Sequence, residues 1–362
     1  MDGAKTALYD KHVEARAKMV SFAGYQMPIQ YRSINEEHKR VRSTVGIFDV
    51  SHMGEVWVKG DRAADFVSRI TVNNAAKLQV NQAQYSAMLY ENGGIIDDLL
   101  VYRFNDRFML VVNASNRQKD VDWIKKQAPG DIIIDDASDR ISLLAIQGRN
   151  ALDVVQKMTR TKLEDIQFYW FREGEIAGHR AIISRTGYTG EEGFELYVDN
   201  EEAPAVWDAV MDEGREFDIA PIGLGARDTL RMEMKYALYG NDIDETTNPI
   251  EAGLGWITKV NKGEFIGRDT ILDVKEKGIE RKLIGFVVEG KAIPRHSYEC
   301  FSAGEKIGNV TSGCWSPTLD QGIGIAYLAK EYTQVDTRFD LDIRGKKIPA
   351  KVVETPFYKR DY

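Results

Sequence analysis

The sequence predicts an α+β protein with mostly antiparallel sheets, flanking helices and a C-terminal β-barrel or jelly-roll domain. Three observations support this prediction. Residues 84–112 contain three strand patterns joined by tight turns, which is typical of an antiparallel meander. Capped helical patterns alternate with further strand pairs as far as about residue 275. Beyond residue 281, strand-like runs are separated by Gly, Pro and Ser turns without a convincing helical pattern, which favours a barrel.

The length of 362 residues exceeds what one hydrophobic core usually supports. Residues 276–280 are charged and poor in apolar side chains, so we place a boundary there. The predicted division is a region of residues 1–275 and a C-terminal barrel domain of residues 281–362.

Composition excludes several classes of partner. The net charge of -8 argues against nucleic acid and anionic membranes as partners, although residues 281–362 hold 13 Lys and Arg against 10 Asp and Glu. The N-terminus has no apolar signal-peptide core and no stretch reaches a membrane span, so we expect a cytoplasmic protein. Cys300, Cys314 and the five histidines show no metal-ligand spacing, so we expect no metal.

Local signals place several elements. Ser33 and Glu36 form a capping box that predicts a helix as far as about Ser43. Asn116 is predicted to cap a second helix. Residues 167–172 and 180–184 are predicted to form an antiparallel strand pair.

Two adjacent carboxylates stand out in the strand that follows the turn at residues 92–94. Asp97 and Asp98 lie in a run that is otherwise apolar on both faces, which is typical of a strand buried on both sides. An uncompensated buried charge costs several kcal/mol or is neutralised by a shifted pKa. Either one aspartate performs chemistry, or one pairs with an arginine and the other caps the strand in water.

A glycine-punctuated segment at 185–196 ends in a second candidate carboxylate, Glu195. No lysine or helix follows the glycines in the phosphate-loop arrangement, so a nucleotide cradle is not expected. Glu195 lies between bulky apolar residues, where a carboxylate is suited to accept paired N–H donors of a heterocycle; a solvated strand edge is the alternative. Arg227 follows a glycine-rich helix start and either meets a carboxylate or forms a surface salt bridge.

Several tyrosines are candidates for an aromatic pocket, although such residues also serve as ordinary core or interface residues: Tyr85, Tyr188, Tyr236, Tyr239 and Tyr358. His52 is interpreted as a hydrogen-bonding loop residue, because no carboxylate or Cys adjoins it. The residues alone therefore indicate buried carboxylates beside an aromatic, heterocycle-binding pocket, without specifying a reaction.

Taken together, the motifs resemble one family, the T-protein of the glycine cleavage system, a tetrahydrofolate-dependent aminomethyltransferase. The matching segments span nearly the whole chain in the family's order: 48–55, 92–99, 111–116, 184–196, 223–228, 238–242, 248–254, 311–313 and 356–358.

This resemblance implies a three-domain cloverleaf around a central folate site, in which residues 1–275 form two intertwined α+β subdomains, one of them discontinuous. It also implies a transferase of glycine catabolism and one-carbon metabolism. The aminomethyl carbon on the lipoyl arm of H-protein passes to tetrahydrofolate, with release of ammonia and formation of 5,10-methylenetetrahydrofolate. Tetrahydrofolate is then a co-substrate, lipoylated H-protein is the partner, and a monomer is expected.

The resemblance also assigns roles to individual residues. It makes Asp98 the catalytic carboxylate near N5 and N10 of the folate, and Glu195 the residue that binds N3–H and the 2-amino group of the pterin. Further folate contacts are expected from Arg227, Tyr358, Tyr188, Tyr236 and Asn113.

Two other functions compete with this one, and the sequence argues against the second. A folate-dependent demethylase of the same superfamily would act on a small N- or S-methyl substrate without a lipoyl partner. A folate-binding protein of iron–sulfur-cluster assembly would carry a Lys-Gly-Cys-Tyr motif, which is absent from this sequence.

Overall fold

A computed structural model describes residues 3–362 of the chain and divides them into two compact units. Unit 1 comprises the residues up to Ile70 together with 74–86 and 99–227. Unit 2 comprises residues 71–73, 87–98 and 228–362. None of the helices in the described part of the chain is long and apolar enough to cross a membrane.

The helices are α1 (Tyr9–Glu14), α2 (Ile34–Ser43), α3 (Ala63–Ile70), α4 (Arg117–Gln127), α5 (Ala151–Gln156), α6 (Ala203–Glu213), α7 (Leu224–Glu233) and α8 (Arg268–Lys277). The first strands are β1 (Lys18–Phe22), β2 (Tyr25–Gln30), β3 (Gly46–Asp49), β4 (Gly54–Lys59), β5 (Gln82–Leu89), β6 (Ile95–Arg103), β7 (Arg107–Val112), β8 (Ile133–Asp136), β9 (Ile141–Gln147) and β10 (Phe171–Ile176). They are followed by β11 (His179–Ser184), β12 (Gly193–Asp199), β13 (Ala220–Pro221), β14 (Arg281–Val288), β15 (Glu299–Ser302), β16 (Glu305–Ser316), β17 (Gln321–Ala329), β18 (Arg338–Ile343) and β19 (Lys346–Val353).

Unit 1 is built around a six-stranded sheet in the order β10-β11-β12-β9-β3-β13. The pairs are antiparallel except for the short parallel pair of β13 and β3. Helices α5 and α6 contribute Val154, Val155, Val206 and Trp207 to the apolar core shared with β9 and β12. A buried apolar face of this kind is the main stabilising term for such a sheet.

A second sheet has the order β5-β6-β7-β4-β8. Strands β5 and β6 each continue from one unit into the other. The predicted meander of β5, β6 and β7 is therefore confirmed, and β4 and β8 extend it.

In unit 2 the C-terminal strands close into a barrel in the order β14-β17-β16-β15-β18-β19. Its interior is apolar and includes Phe286, Leu328, Phe339 and Val352. Gly324 has no room for a side chain, since a Cβ there would lie 2.2 Å from Cζ of Phe286. The predicted barrel is confirmed, and it contains two strands, β15 and β18, that were not among those predicted.

Two local predictions need correction, while a third is confirmed. Helix α2 begins after Ser33, whose side chain accepts from the Glu36 backbone N–H as the capping box requires. Asn116 precedes α4 but makes no capping hydrogen bond, because its backbone is already helical (φ -105°, ψ -10°) and does not take the extended form of a cap. Strand β10 begins only at Phe171, since Tyr169 has φ 64° and turns the chain before it.

Candidate active site

The glycines of the turn at 92–94 precede the start of strand β6, whose residues 95–98 belong to unit 2. Gly93 has φ +82°, a left-handed conformation that favours glycine. A Cβ on Gly94 would lie 2.1 Å from the carbonyl oxygen of Glu245. The next residue, Ile95, accepts a 3.0 Å hydrogen bond from the Tyr239 hydroxyl through its carbonyl oxygen. The start of β6 is thus fixed against the irregular segment 239–247.

Burial separates the two adjacent aspartates of β6. Asp97 is 0% exposed, whereas Asp98 is half-buried. Their side chains point to opposite faces of the strand, because the side-chain period of a strand is two residues. The sequence prediction that both faces are closed therefore holds for the face of Asp97, and the face of Asp98 is partly open. Of the two, Asp98 is therefore the more accessible carboxylate.

In unit 1, Glu195 lies in β12 opposite Ser184 of β11 and Ala145 of β9. Its side chain is half-buried. The Thr186 hydroxyl donates a short hydrogen bond to Oε2 of Glu195. An acceptor held in the middle of a sheet has little conformational freedom to lose when a ligand binds.

Thr186 is also the end of a buried series of hydroxyl groups that we call the hydroxyl chain: Tyr197, Tyr102 and Thr186. The hydroxyl oxygens of Tyr197 and Tyr102 lie 3.0 Å apart, and those of Tyr102 and Thr186 lie 3.2 Å apart. Because an ionised Glu195 only accepts, the protons are assigned so that each hydroxyl donates towards it. Burial raises the pKa of Tyr102 and Tyr197, so both hydroxyls stay protonated as donors.

Opposing effects act on the pKa of Glu195. Burial raises it, while the hydrogen bond from Thr186 and the positive charge of Arg227 lower it, and the net direction is upward. Glu195 therefore ionises at higher pH than an ordinary glutamate, and its acceptor function is lost on the acidic side.

The glycine-punctuated segment around residues 186–193 is held by Gln147 and Arg42. Nε2 of Gln147 donates to the Thr186 carbonyl oxygen at 3.1 Å. A Cβ on Gly187 would lie 2.1 Å from Oε1 of Gln147, and one on Gly193 would lie 2.3 Å from its Nε2. Arg42 donates to the Thr189 carbonyl oxygen at 2.7 Å. These glycines allow the loop to close over Gln147.

Arg227 lies in the first turns of α7, and its guanidinium stacks on Tyr188 with Cζ 4.4 Å from the ring centroid. The helix start is fixed because Oε2 of Glu37 accepts from the Gly223 backbone N–H at 2.8 Å. Gly223 must be glycine, since a Cβ would lie 2.4 Å from the Ile29 carbonyl oxygen. Unit 1 thus brings together three of the predicted residues, Glu195, Arg227 and Tyr188, in one charged and aromatic group.

Unit 2 holds Tyr236 and Tyr358 through the C-terminal end of α7. The backbone N–H of Tyr236 donates to the Arg231 carbonyl oxygen at 3.0 Å, and that of Tyr358 donates to the Glu233 carbonyl oxygen at 3.1 Å. Both side chains are half-buried. Asn113, in unit 1, is half-buried immediately after β7.

Comparisons with known proteins identify the family. The GCVT N-terminal domain matches residues 8–262, and the glycine cleavage T-protein C-terminal barrel domain matches residues 281–359. An aminomethyltransferase of Bacteroides fragilis is 50% identical over 98% of this chain and 99% of its own length. The chain belongs to the glycine cleavage T-protein family. An aminomethyltransferase of Caldanaerobacter subterraneus is 46% identical over 99% of this chain and 96% of its own. The crystal structure of the glycine cleavage system aminomethyltransferase T of Bartonella henselae superposes with a TM-score of 0.93, at 34% identity and 99% coverage of both chains.

The sequence did not indicate the hydroxyl chain, although its residues complete the surroundings of Glu195 in this T-protein family member. Thr186 is nine residues from Glu195, and it meets the carboxylate only because Ser184 lies opposite Glu195 in the sheet. The signal available in the sequence was a threonine just after a strand end, which is too common to single out. Among residues 3–362 no group of His, Cys, Asp and Glu is arranged to hold a metal ion.

Proposed function

We propose that this chain transfers the aminomethyl carbon from the lipoyl arm of H-protein to tetrahydrofolate, releasing ammonia and forming 5,10-methylenetetrahydrofolate. Membership of the T-protein family over nearly the whole chain supports this function. The observation that carries it at the level of the site is the half-buried Glu195, which Thr186 holds through one oxygen beside Arg227 and Tyr188.

Glu195 is proposed to bind the pterin. An ionised carboxylate accepts the N3–H and the 2-amino N–H of a pterin as a pair, which is the geometry that makes charge-assisted hydrogen bonds strong. Arg227 and Tyr188 present a flat stacked pair, suited to contact with a flat heterocycle. Tyr236, Tyr358 and Asn113 are proposed as further folate contacts.

Asp98 is proposed as the carboxylate that acts at N5 and N10 of the folate. N5 forms a bond to the methylene carbon while the bond from that carbon to nitrogen breaks and ammonia leaves. N10 then forms the second bond as the lipoyl sulfur leaves. The protons lost from N5 and N10 appear on ammonia and on the lipoyl thiol, and Asp98 assists by accepting a proton or stabilising positive charge. Holding the two partners in contact removes a large entropic part of the barrier.

The remaining expectations belong to the same proposal. They are a cytoplasmic monomer, a division of the chain into residues 1–275 and 281–362, and lipoylated H-protein as the partner. The excess of basic residues in 281–362 favours an acidic partner surface.

The deciding experiment measures ammonia release from aminomethylated H-protein in the presence of tetrahydrofolate. Asp98→Asn is expected to lose roughly 10²-fold or more of the rate, the scale of a general acid–base group. Asp97→Asn is the matched control, and circular dichroism checks that both variants fold. A larger loss for Asp97→Asn would reverse the assignment within the pair. Equal turnover of a free methylated substrate without H-protein would favour the demethylase function.

Folate binding is tested separately by titration of the chain with tetrahydrofolate. Glu195→Gln is expected to weaken binding because the amide presents a donor where the pterin also donates. Unchanged affinity would remove Glu195 from the proposed role.

A further inference from the structure

Glu55 of β4 is a carboxylic acid buried without hydrogen-bond partners. Its side chain is 0% exposed, and within residues 3–362 neither carboxylate oxygen has a partner. Both of its backbone polar groups are bound to one neighbouring segment, since its N–H donates to Oγ of Ser138 and its carbonyl oxygen accepts from the Ala137 N–H, both at 2.9 Å. The strand cannot turn this side chain out to water without breaking those bonds.

Strand register shows which way Glu55 points. It lies opposite Val111 of β7, and Val111 lies opposite Leu100 of β6. Paired residues point to the same face of a sheet, and so do residues two apart along a strand. Glu55 therefore shares its face with Tyr102, the middle member of the hydroxyl chain that leads to Glu195.

The charges around Glu55 come from three other elements: Arg117 of α4, Asp136 of β8 and Glu195 of β12. Burial is the largest effect and raises the pKa of Glu55 well above its usual value. Arg117 lowers it, whereas Asp136 and Glu195 raise it further. Arg117 is already bound to two carboxylates, Asp136 at 2.9 Å and Asp139 at 2.6 Å, so it donates no hydrogen bond to Glu55.

Glu195 is favoured over Glu55 as the ionised member of this pair. It receives a hydrogen bond from Thr186, it senses the positive charge of Arg227, and its side chain is partly exposed. Two carboxyl groups that share a buried environment do not both ionise, because the second charge has neither solvent nor donors to stabilise it.

We propose that Glu55 is held as a neutral, protonated acid in the folded chain, so that the negative charge of the pair lies on Glu195, the carboxylate that faces the ligand. The consequence for function rests on the proposed binding of a pterin by Glu195. Two N–H donors require an ionised acceptor. Because the proton stays on Glu55, Glu195 is free to be that ionised acceptor. Glu55 touches neither the ligand nor a reacting atom in this scheme.

The protonation state is tested on the chain without folate, by infrared spectroscopy across a pH series. The carbonyl stretch of a protonated carboxylic acid should persist at neutral pH in the unmodified chain, and Glu55→Gln should lose the part of that band that one acid group contributes. It should remain in Glu233→Gln, a control at another glutamate that is 0% exposed but accepts from Ser316 and Thr318. Glu195→Gln should keep the band but lose it at a lower pH, since the Glu195 charge no longer opposes ionisation of Glu55. Absence of the band at neutral pH, or an undiminished band in Glu55→Gln, would overturn the proposal.

The effect on Glu195 is tested through the acidic limb of tetrahydrofolate binding. If Glu55 is neutral, Glu55→Gln replaces one neutral group with another, and the midpoint of the limb should coincide with that of the unmodified chain. If Glu55 is ionised, removing its charge should move the midpoint to lower pH, which would refute the proposal. Arg227→Gln shows that the assay senses charge, because losing the guanidinium should move the midpoint upward. Failure of the unmodified chain to bind tetrahydrofolate would refute the proposed function instead, while the infrared result would still decide the state of Glu55.

Discussion

Replacing Arg231 with leucine removes the cation from a buried ion pair in unit 2. Arg231 is 2% exposed, and its Nη1 donates to Oδ2 of Asp242 at 2.7 Å. Its Nε donates to Asp228 at 2.8 Å and its Nη2 to Oγ of Ser312 at 3.0 Å. Asp242 is 0% exposed, so Arg231→Leu leaves a carboxylate buried without its counter-charge.

The expected loss of unfolding free energy follows from what Asp242 retains. Removing one partner of a buried ion pair costs about 3–5 kcal/mol. Asp242 keeps two other donors, the Thr311 hydroxyl and the Leu238 backbone N–H, which offset part of the loss. We therefore expect the lower end of the range, about 3 kcal/mol. Arg231 also donates to the Tyr236 carbonyl oxygen at 3.1 Å, so tetrahydrofolate affinity should fall as well.

The assay is urea denaturation, with the free energy taken from the midpoint and slope. Arg215→Leu is the matched control, because Arg215 pairs with Asp212 at the surface with 79% of its side chain exposed. That change should stay within about 0.5 kcal/mol. Changing both Arg231 and Asp242 to leucine should recover stability relative to Arg231→Leu. A loss below about 1 kcal/mol for Arg231→Leu would refute the reasoning, since that is the scale of an exposed pair.

Three further predictions concern single contacts. Gly94→Ala should lower the thermal midpoint by the equivalent of about 1–3 kcal/mol, because its Cβ would lie 2.1 Å from the Glu245 carbonyl oxygen. Gly130→Ala is the control, since a Cβ at Gly130 would meet open space, and equal midpoints for the two variants would contradict the prediction. Thr186→Val should weaken tetrahydrofolate binding about tenfold or more, since it removes a donor to ionised Glu195. It should also raise the pH midpoint of binding, because the hydrogen bond from Thr186 lowers the pKa of Glu195. An unchanged midpoint would show that Thr186 does not stabilise the ionised form of Glu195. The third prediction concerns Glu55, whose folded pKa lies above its usual 4.5. Because Glu55 loses its proton first in the unfolded chain, its contribution to the free energy of unfolding falls as pH rises above about 4.5. Measured by denaturant unfolding, the free energy of unfolding of Glu55→Gln relative to that of the unmodified chain should therefore increase from about pH 5 to about pH 7, by up to about 1.4 kcal/mol per pH unit. A difference that stays constant with pH would argue for an ionised Glu55.

Local chemistry was enough to predict those elements whose signal lies within a few residues. Ser33 and Glu36 set the start of α2 as a capping box, and the glycines at 93 and 94 mark the turn that the structure places before β6. Strand β15 has only four residues. It pairs with β16 across a tight turn, but with an irregular register, and its other partner β18 lies some forty positions away, so its local pattern is weak. Strand β18 differs from β15, because its alternating charged and apolar residues and the turn at Gly345 are a local signal of a hairpin with β19, although it was not among the strands predicted.

The candidate site could be predicted only as far as residue types and the family resemblance allow. Glu195 was recognisable because bulky apolar residues flank it, and the structure does place it in a sheet with partial exposure. Its partner Thr186 depends on the register between β11 and β12, and register is a property of two strands. For the two aspartates of β6 the sequence shows opposite faces, but which face is open depends on what packs there, and the structure leaves only Asp98 half-buried.

Three glutamates of unit 1 show why the chemistry of a carboxylate cannot be assigned from its own sequence position. Glu37 is 3% exposed and accepts from the backbone N–H groups of Tyr31, Arg32 and Gly223, so it holds the start of α7. Glu195 accepts one hydroxyl and is partly exposed, so it keeps capacity for a ligand. Glu55 has no donor within the described residues, so its burial favours the neutral acid. The donors to Glu37 and Glu195 lie outside the strand or helix that carries each glutamate. The number of donors therefore decides whether a buried glutamate stabilises the fold, binds a ligand or stays protonated, and neither residue type nor flanking residues reveal that number.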